Sequence, residues 1–136
     1  MNKKLKFTLL GAIVLGAFLA KDNVKSLAAT NAYENGIFYD ENKKPANWWY
    51  DDGKAWYFFK NGKKLTGEGI DSNGKHQFKN GKYLQGYLNN LFYADGNLAN
   101  WWYDDGNAWY YFKDGKKLTG YAVDGNGKRY FVNGKY

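Results

Sequence analysis

The sequence predicts an all-β fold, a solenoid-like stack of short β-hairpins preceded by an N-terminal signal helix. Three observations support this prediction. One long stretch occurs twice, Asn-Gly and Asp-Gly pairs recur about every ten residues, and the 136 residues include 17 glycines but one proline. Repeats with periods of about 20–50 residues are typical of arrays in which each unit buries its apolar face against the next.

The repeat is the strongest of these signals. Residues 46–83 and 99–136 are identical at 28 of 38 positions. A weaker similarity continues upstream of both stretches. We therefore expect two units of about 53 residues, with copies at about 36–89 and 90–136.

Nine of the Asn-Gly and Asp-Gly pairs are predicted to form the hairpin turns, because a type I′ turn needs positive φ at both central residues. Their spacing leaves room for short strands of about four to six residues. The nine pairs begin at Asp52, Asn61, Asn73, Asn80, Asp95, Asp105, Asp114, Asn126 and Asn133.

The core between these turns is expected to be aromatic. From Ala29 onward the chain has 26 aromatic residues and ten Leu, Ile or Val. Buried Tyr and Trp then need partners for their O–H and N–H groups. In the pairs Trp48-Trp49 and Trp101-Trp102, adjacent strand residues point to opposite faces, so we expect one ring to pack inward and one to face out.

The start of the chain has the features of a secretory signal peptide. Lysines precede an uncharged run at residues 7–20, and small residues follow before Ala29. The run is shorter than the ~20 residues that a membrane span needs, although an uncleaved anchor or a buried helix is an alternative. We expect residues 1–28 to be a signal peptide, 29–35 a short linker and 36–136 the repeat domain of a secreted or cell-surface protein.

Charge and cysteine content exclude several classes of function. Without residues 1–28 the net charge falls from +7 to about +3, and the remaining lysines are scattered among the turns. A nucleic-acid-binding surface is therefore not expected. The absence of cysteine excludes disulfides, thiol catalysis and cysteine metal sites.

The duplicated aromatic segment is similar to a known repeat. Residues 106–120 (GNAWYYFKDGKKLTG) and 53–67 (GKAWYFFKNGKKLTG) resemble the cell-wall-binding repeats, of the choline-binding and glucan-binding type, of Gram-positive secreted surface proteins. The resemblance covers roughly residues 36–136. It implies a non-catalytic module, without cofactor or metal, that binds cell-wall polysaccharide or teichoic acid.

The resemblance also implies that aromatic rings hold the ligand, since a ring face attracts a cation by ~0.5–2 kcal/mol. Family members usually have tryptophan after Thr-Gly, whereas this chain has Glu68 and Tyr121, which disfavours choline. The additional Trp-Trp-Tyr clusters favour sugar stacking on flat rings. The candidate ligand-binding residues are Trp49, Trp56, Tyr57, Trp102, Trp109 and Tyr110.

No set of catalytic residues is evident, so we do not expect an enzyme. A glycosidase needs two carboxyl groups facing each other across about 5–9.5 Å. The adjacent aspartates Asp51-Asp52 and Asp104-Asp105 are instead expected to point into solvent and support turns. His76, the single histidine, is expected at an exposed strand position.

Two further features have ordinary interpretations. The loops that begin at Asp71 and Asp124 lack the closing glutamate of a calcium loop and are expected to be hairpin turns. The lysine pairs that begin at Lys63 and Lys116 are expected to be solvated turn residues, with contacts to teichoic acid phosphates as the alternative.

The sequence therefore favours a secreted polysaccharide-binding module. A secreted adhesin or bacteriocin-like effector is the alternative, and a wall-active hydrolase is less favoured. The open hairpin at residues 133–136 predicts either a homodimer through exposed hairpin edges or a chain shortened from a longer protein.

Overall fold

The computed structural model describes residues 30–136, and the predicted signal peptide and signal helix at residues 1–28 lie outside the described residues. Within the described range all regular elements are β-strands, which confirms the predicted all-β class. Membrane-spanning helices are absent from residues 30–136. The strands are β1 (Ala32–Glu34), β2 (Ile37–Tyr39), β3 (Trp49–Asp51), β4 (Trp56–Lys60), β5 (Lys63–Lys64), β6 (Gly67–Asp71), β7 (Gly74–Lys79), β8 (Lys82–Tyr83), β9 (Gly86–Leu88), β10 (Leu91–Ala94), β11 (Asn97–Leu98), β12 (Trp102–Asp104), β13 (Trp109–Lys113), β14 (Lys116–Lys117), β15 (Gly120–Asp124) and β16 (Gly127–Phe131).

These strands form small sheets in which sequence neighbours are also sheet neighbours. Two sheets have two strands, β1-β2 and β15-β16, and four have three, β3-β4-β5, β6-β7-β8, β9-β10-β11 and β12-β13-β14. The two copies use the same register. Trp49 lies opposite Phe58 in the antiparallel pair β3-β4, and Trp102 lies opposite Tyr111 in β12-β13.

The turn geometry confirms the type I′ prediction at five of the nine predicted pairs. Both residues have positive φ in the pairs that begin at Asn61, Asn80, Asp95, Asp114 and Asn133. In the other four pairs only the glycine has positive φ. Two turns of the same kind were not predicted, Asn35-Gly36 and Asn89-Asn90. Asparagine tolerates the left-handed conformation better than most residues, which explains a turn without glycine.

Residues 29–35, expected to be a linker, contain strand β1. This strand pairs with β2, with Tyr33 opposite Phe38. The Asn35-Gly36 turn reverses the chain between the two strands. Residues 32–34 of the expected linker are therefore strand residues of the fold.

A closed ring of three backbone hydrogen bonds recurs along the chain. In one example the Phe92 N–H donates to the Gly115 carbonyl (2.8 Å), Gly115 to Ala99 (2.9 Å) and Ala99 to Phe92 (2.9 Å). We call this arrangement a three-bond closure. It satisfies donors and acceptors at the ends of very short strands. The other four closures, with N···O distances of 2.7 to 3.0 Å, join Phe38, Ala46 and Gly62; Phe58, Leu65 and Gly81; Gln77, Leu84 and Gly96; and Tyr111, Leu118 and Gly134.

The glycine of each closure has no room for a side chain. A Cβ on Gly115 would lie 3.1 Å from the Phe92 carbonyl oxygen and 2.9 Å from a methyl carbon of Leu98, and the residue has φ of +79°. Gly36 has the same φ, but a Cβ there would meet nothing within 4 Å. Glycine at the closures is therefore required by close backbone approach as well as by φ.

The described chain divides into two compact units. Unit 1 comprises the residues up to Asp71 together with 78–82, and unit 2 comprises 72–77 and 83–136. This division does not follow the predicted copies, because the closure of Gln77, Leu84 and Gly96 links the end of the first copy to unit 2.

Each unit has its own aromatic core. In unit 1, Phe38 stacks on Phe59 with ring centroids 4.7 Å apart. In unit 2, Phe92 stacks on Phe112 at 4.6 Å with the same interplanar angle of 16°. Full burial of a Phe side chain stabilises the fold by ~1.5–3 kcal/mol.

Candidate functional site

The two tryptophans of each Trp-Trp pair have different environments. Trp49 is half-buried, its indole N–H donates to Asp71 Oδ2 at 3.0 Å, and its ring lies 5.5 Å from the Phe58 ring. The second copy repeats this arrangement, since the Trp102 N–H donates to Asp124 Oδ2 at 3.2 Å. Both candidate ligand-binding tryptophans are thus packed, with the indole N–H already hydrogen-bonded.

The preceding tryptophans, Trp48 and Trp101, are the exposed rings. Their exposed fractions are 44% and 45%. Trp48 lies just before β3, so strict strand alternation does not apply to it, and its ring also contacts Phe58 (5.7 Å). As the sequence predicts, one ring of each pair is exposed. The exposed rings, Trp48 and Trp101, are not among the candidate ligand-binding residues chosen from the sequence.

A groove lies beside Trp48 in unit 1. Its volume is about 310 Å³, near the lower end of the ~300–1,000 Å³ that is typical of ligand pockets. Its apolar lining includes Trp48, Phe58, Leu65 and Ile70, and its polar lining includes Lys60 and Glu68.

Trp56 and Trp109 are also exposed, by 45% and 61%. Trp56 and Tyr57 are adjacent residues of β4 and therefore point to opposite faces of the strand. Trp49, opposite Phe58, shares the face of Trp56. The structure therefore does not bring Trp49, Trp56 and Tyr57 onto one face, and the same holds for Trp102, Trp109 and Tyr110.

The faces of Tyr57 and Tyr110 carry cations from the protein itself. Lys64 Nζ lies 3.6 Å from the Tyr57 ring centroid, and Lys117 Nζ lies 3.4 Å from that of Tyr110. Each ring has a second lysine nearby: Lys82 Nζ lies 5.2 Å from the Tyr57 centroid, and Lys135 Nζ lies 5.0 Å from the Tyr110 centroid. Contacts of this kind stabilise by ~0.5–2 kcal/mol. A lysine ammonium group of the protein therefore lies on the ring face where the resemblance predicts a ligand cation.

The same lysines form ion pairs with nearly buried aspartates. The Lys117–Asp105 distance is 3.2 Å and the Lys64–Asp52 distance is 3.8 Å, with aspartate side chains only 2% and 4% exposed. The prediction that Asp52 and Asp105 point into solvent is therefore wrong. The prediction that Lys64 and Lys117 are merely solvated is also wrong, because each lysine lies between a carboxylate and a ring.

A tyrosine hydroxyl and two backbone N–H groups complete each cluster. The Tyr33 hydroxyl donates to Asp52 Oδ2 (3.0 Å), and the Tyr87 hydroxyl donates to Asp105 Oδ2 (2.9 Å). The backbone N–H groups of Asn107 and Ala108 donate to Asp105 Oδ1. These two ionic clusters, one in each unit, are structural elements that sequence patterns alone did not reveal.

The partners of Asp105 keep it ionised. Burial opposes ionisation, but hydrogen bonds from the Asn107 N–H, the Tyr87 hydroxyl and Lys117 outweigh burial and lower its pKa to about 2. Burial and the same carboxylate raise the pKa of Tyr87. Burial also opposes ionisation of Asp52, whose pKa is lowered by hydrogen bonds from the Lys54 and Ala55 N–H groups and the Tyr33 hydroxyl. A carboxylate held ionised in this way does not supply a proton near neutral pH.

His76 is buried, so the prediction of an exposed strand position is wrong. It is 8% exposed, its ring stacks on Tyr83 at 4.4 Å, and its Nδ1 lies 3.0 Å from the Gly74 carbonyl oxygen. Strand alternation explains this burial, because His76 lies two residues before buried Phe78 on β7. Arg129, at the corresponding position of the second copy, has its guanidinium 4.4 Å from the Tyr136 ring.

Within residues 30–136, no three His, Asp or Glu side chains come together in a way that could hold a metal ion. Asp71 and Asp124 are each 7% exposed and accept the tryptophan N–H groups described above. Asp124 also accepts the Asn126 N–H at 2.8 Å, as expected for a turn.

A scan against known protein families finds no match to this chain, and a search of curated proteins gives no significant match. The resemblance to cell-wall-binding repeats accordingly stays a prediction.

Proposed function

We propose that this protein is a secreted, non-catalytic module that binds bacterial cell-wall or related polysaccharide through exposed tryptophan rings. The observation that carries the proposal is the groove beside Trp48, where an indole that is 44% exposed lies next to the charged residues Lys60 and Glu68. A flat apolar surface with a few polar groups at its rim is the usual composition of a small-ligand site.

Stacking of a sugar ring on Trp48 would bury C–H groups against the indole. Asn47 supports the position of Trp48, since its Oδ1 accepts the Asn61 N–H (2.8 Å) and its Nδ2 donates to the Pro45 carbonyl (3.1 Å). Asn100 makes the same two bonds before Trp101, to Asp114 and Leu98. Both exposed indoles are therefore held by the same backbone contacts.

Two sites in one chain suit a polymeric ligand. Once one site holds the polymer, binding at the second is intramolecular, and overall affinity rises by ~10²-fold or more where the geometry allows both contacts. We also propose that the hairpins form a solenoid-like array, since the three-bond closure recurs from one hairpin to another.

Co-sedimentation of the purified protein with bacterial cell walls tests this proposal. We expect wild-type protein to sediment with walls, and the double variant Trp48→Ala, Trp101→Ala to stay in the supernatant while it remains folded. Trp49→Ala is the matched control for stability, because it removes a packed ring instead of an exposed one. It should lower the free energy of unfolding by ~3–5 kcal/mol. Failure of wild-type protein to bind walls or any arrayed glycan overturns the proposal, as does clearing of the walls, which would indicate a hydrolase.

A further inference from the structure

The hairpin β15-β16 presents an exposed face that is rich in apolar side chains. Tyr121 and Tyr130 lie opposite each other, their ring centroids are 4.9 Å apart, and they are 68% and 50% exposed. Val123 lies two residues from Tyr121 on β15 and therefore points to the same side, and Val132 directly follows β16; they are 64% and 62% exposed. We call these four residues, together with Lys128, the tyrosine face.

The charge of the tyrosine face is positive. Lys128 lies opposite Val123, and its Nζ is 5.0 Å from the Tyr121 ring centroid. The single acid in residues 120–132 is Asp124, which is buried and bonded to the Trp102 and Asn126 N–H groups. Arg129 points to the other side of the hairpin, where it covers the Tyr136 ring.

The first copy has polar residues at three of the four corresponding apolar positions. Glu68, Gln77 and Lys79 stand where the second copy has Tyr121, Tyr130 and Val132, whereas Ile70, which is 68% exposed, stands where the second copy has Val123. The inward-facing residues are the same in both copies, since Phe78 corresponds to Phe131 and Asp71 to Asp124. The first copy shows that the repeat sequence accepts polar side chains here. A cluster of exposed apolar residues on one face indicates an interaction surface.

We propose that the tyrosine face binds an acidic polysaccharide. Sugar rings lie on Tyr121 and Tyr130, and the carboxylate or phosphate groups of the polymer lie near Lys128. The inference rests on the proposed function and narrows its ligand class to polymers that carry negative charge. It also makes the two copies unequal, because Glu68 gives the first copy a negative charge where the second has Tyr121.

The affinity of the full chain for carboxymethyl dextran, uncharged dextran and poly(glycerol phosphate) tests the inference. We expect wild-type protein to bind carboxymethyl dextran at least tenfold more tightly than dextran, and more tightly than poly(glycerol phosphate), which has no sugar rings; the affinity should fall as salt rises. Tyr121→Glu with Tyr130→Gln, which restores the residues of the first copy, should reduce this affinity about tenfold or more, and Lys128→Gln should reduce it severalfold. Because all three side chains are solvent-exposed or partly exposed, circular dichroism melting should not change.

Lys75→Gln is the matched control, because Lys75 occupies in the first copy the position of Lys128, and its effect should be under twofold. Equal wild-type affinity for charged and uncharged dextran overturns the inference, and so does unaltered binding by the Tyr121→Glu, Tyr130→Gln variant. If wild-type protein binds cell walls and Trp101→Ala abolishes that binding while the tyrosine variants bind normally, the inference fails and the proposed function stands. If wild-type protein binds no wall or glycan, both fail.

Discussion

In the first copy of the repeat, Lys64 lies between the Asp52 carboxylate and the Tyr57 ring, and in the second copy Lys117 lies in the same way between Asp105 and Tyr110. The Lys–ring distances, 3.6 and 3.4 Å, nearly match, so the two copies share this arrangement. Each lysine is fixed by two partners, so replacing any one of the three residues disturbs the other two.

The outer surfaces of the copies differ much more. Glu68 corresponds to Tyr121, and both are exposed. Lys79 corresponds to Val132, and both are exposed. The comparison teaches that this fold is specified by duplicated interior contacts, while single residues on the outside are free to provide different binding surfaces.

Truncation of the core phenylalanines should have the largest effect and should be equal in the two copies. Phe59→Ala and Phe112→Ala each remove a fully buried ring, and each should lower the free energy of unfolding by ~3–5 kcal/mol. Urea denaturation followed by tryptophan fluorescence measures this change. A large loss in one copy with almost none in the other would contradict the equivalence of the two cores.

Substitution of the closure glycines should follow in size. Gly62→Ala and Gly115→Ala combine a left-handed backbone penalty of ~1–2 kcal/mol with overpacking of ~1–3 kcal/mol. Gly36→Ala is the control, because it has the same φ as Gly115 without a close neighbour, and should lose only the first contribution. Equal urea midpoints for Gly36→Ala and Gly115→Ala would show that close approach at the closure is unimportant.

Loss of the charged aspartates should weaken the fold to a smaller extent and alter its acid stability. Asp52→Asn and Asp105→Asn remove hydrogen bonds to a charged group, with an expected loss of ~1.5–3 kcal/mol. The pKa of Asp105 is about 2 in the folded protein and ~3.9 when unfolded, so its contribution is present above pH ~4 and falls as the pH drops toward 2.

Urea midpoints at pH 7, 4 and 2.5 measure this linkage. Wild-type stability should decline across that window, and the Asp105→Asn variant should decline less steeply. Parallel pH profiles for the two proteins would show that Asp105 does not couple folding to proton binding.

Replacement of the ring-stacking residue Arg129 should have the smallest effect. Arg129→His replaces one contact with the Tyr136 ring by another, so it should change the free energy of unfolding by less than ~1 kcal/mol. Differential scanning calorimetry would detect the shift in melting temperature. A loss as large as that of Phe112→Ala would place Arg129 among the determinants of the core.

Local patterns located the hairpin turns well, although both residues have positive φ at only five of the nine predicted Asn-Gly and Asp-Gly pairs. They failed where burial depends on partners distant in the sequence. Asp52 looked like a solvated turn residue, yet it is buried by Tyr33, 19 positions earlier, and by Lys64. His76 looked exposed because its burial depends on Tyr83 and on the strand register.

The candidate site was predictable in residue type but not in position. The Trp-Trp pairs indicated one exposed ring each, but strand alternation could not identify which ring, because Trp48 precedes β3. A motif comparison could not predict that lysines cover the ring faces of Tyr57 and Tyr110. These lysines come from later hairpin strands.

The three-bond closure affects how a gene that encodes such repeats can be lengthened by duplication. Its bonds join backbone atoms, so it demands only one glycine and leaves the intervening length variable: successive donors Phe58, Gln77, Phe92 and Tyr111 are 19, 15 and 19 residues apart. An in-frame tandem duplication therefore supplies a new unit together with its own means of closure. A gene can lengthen in this way without compensating substitutions, and each added copy can then diverge on its outer surface.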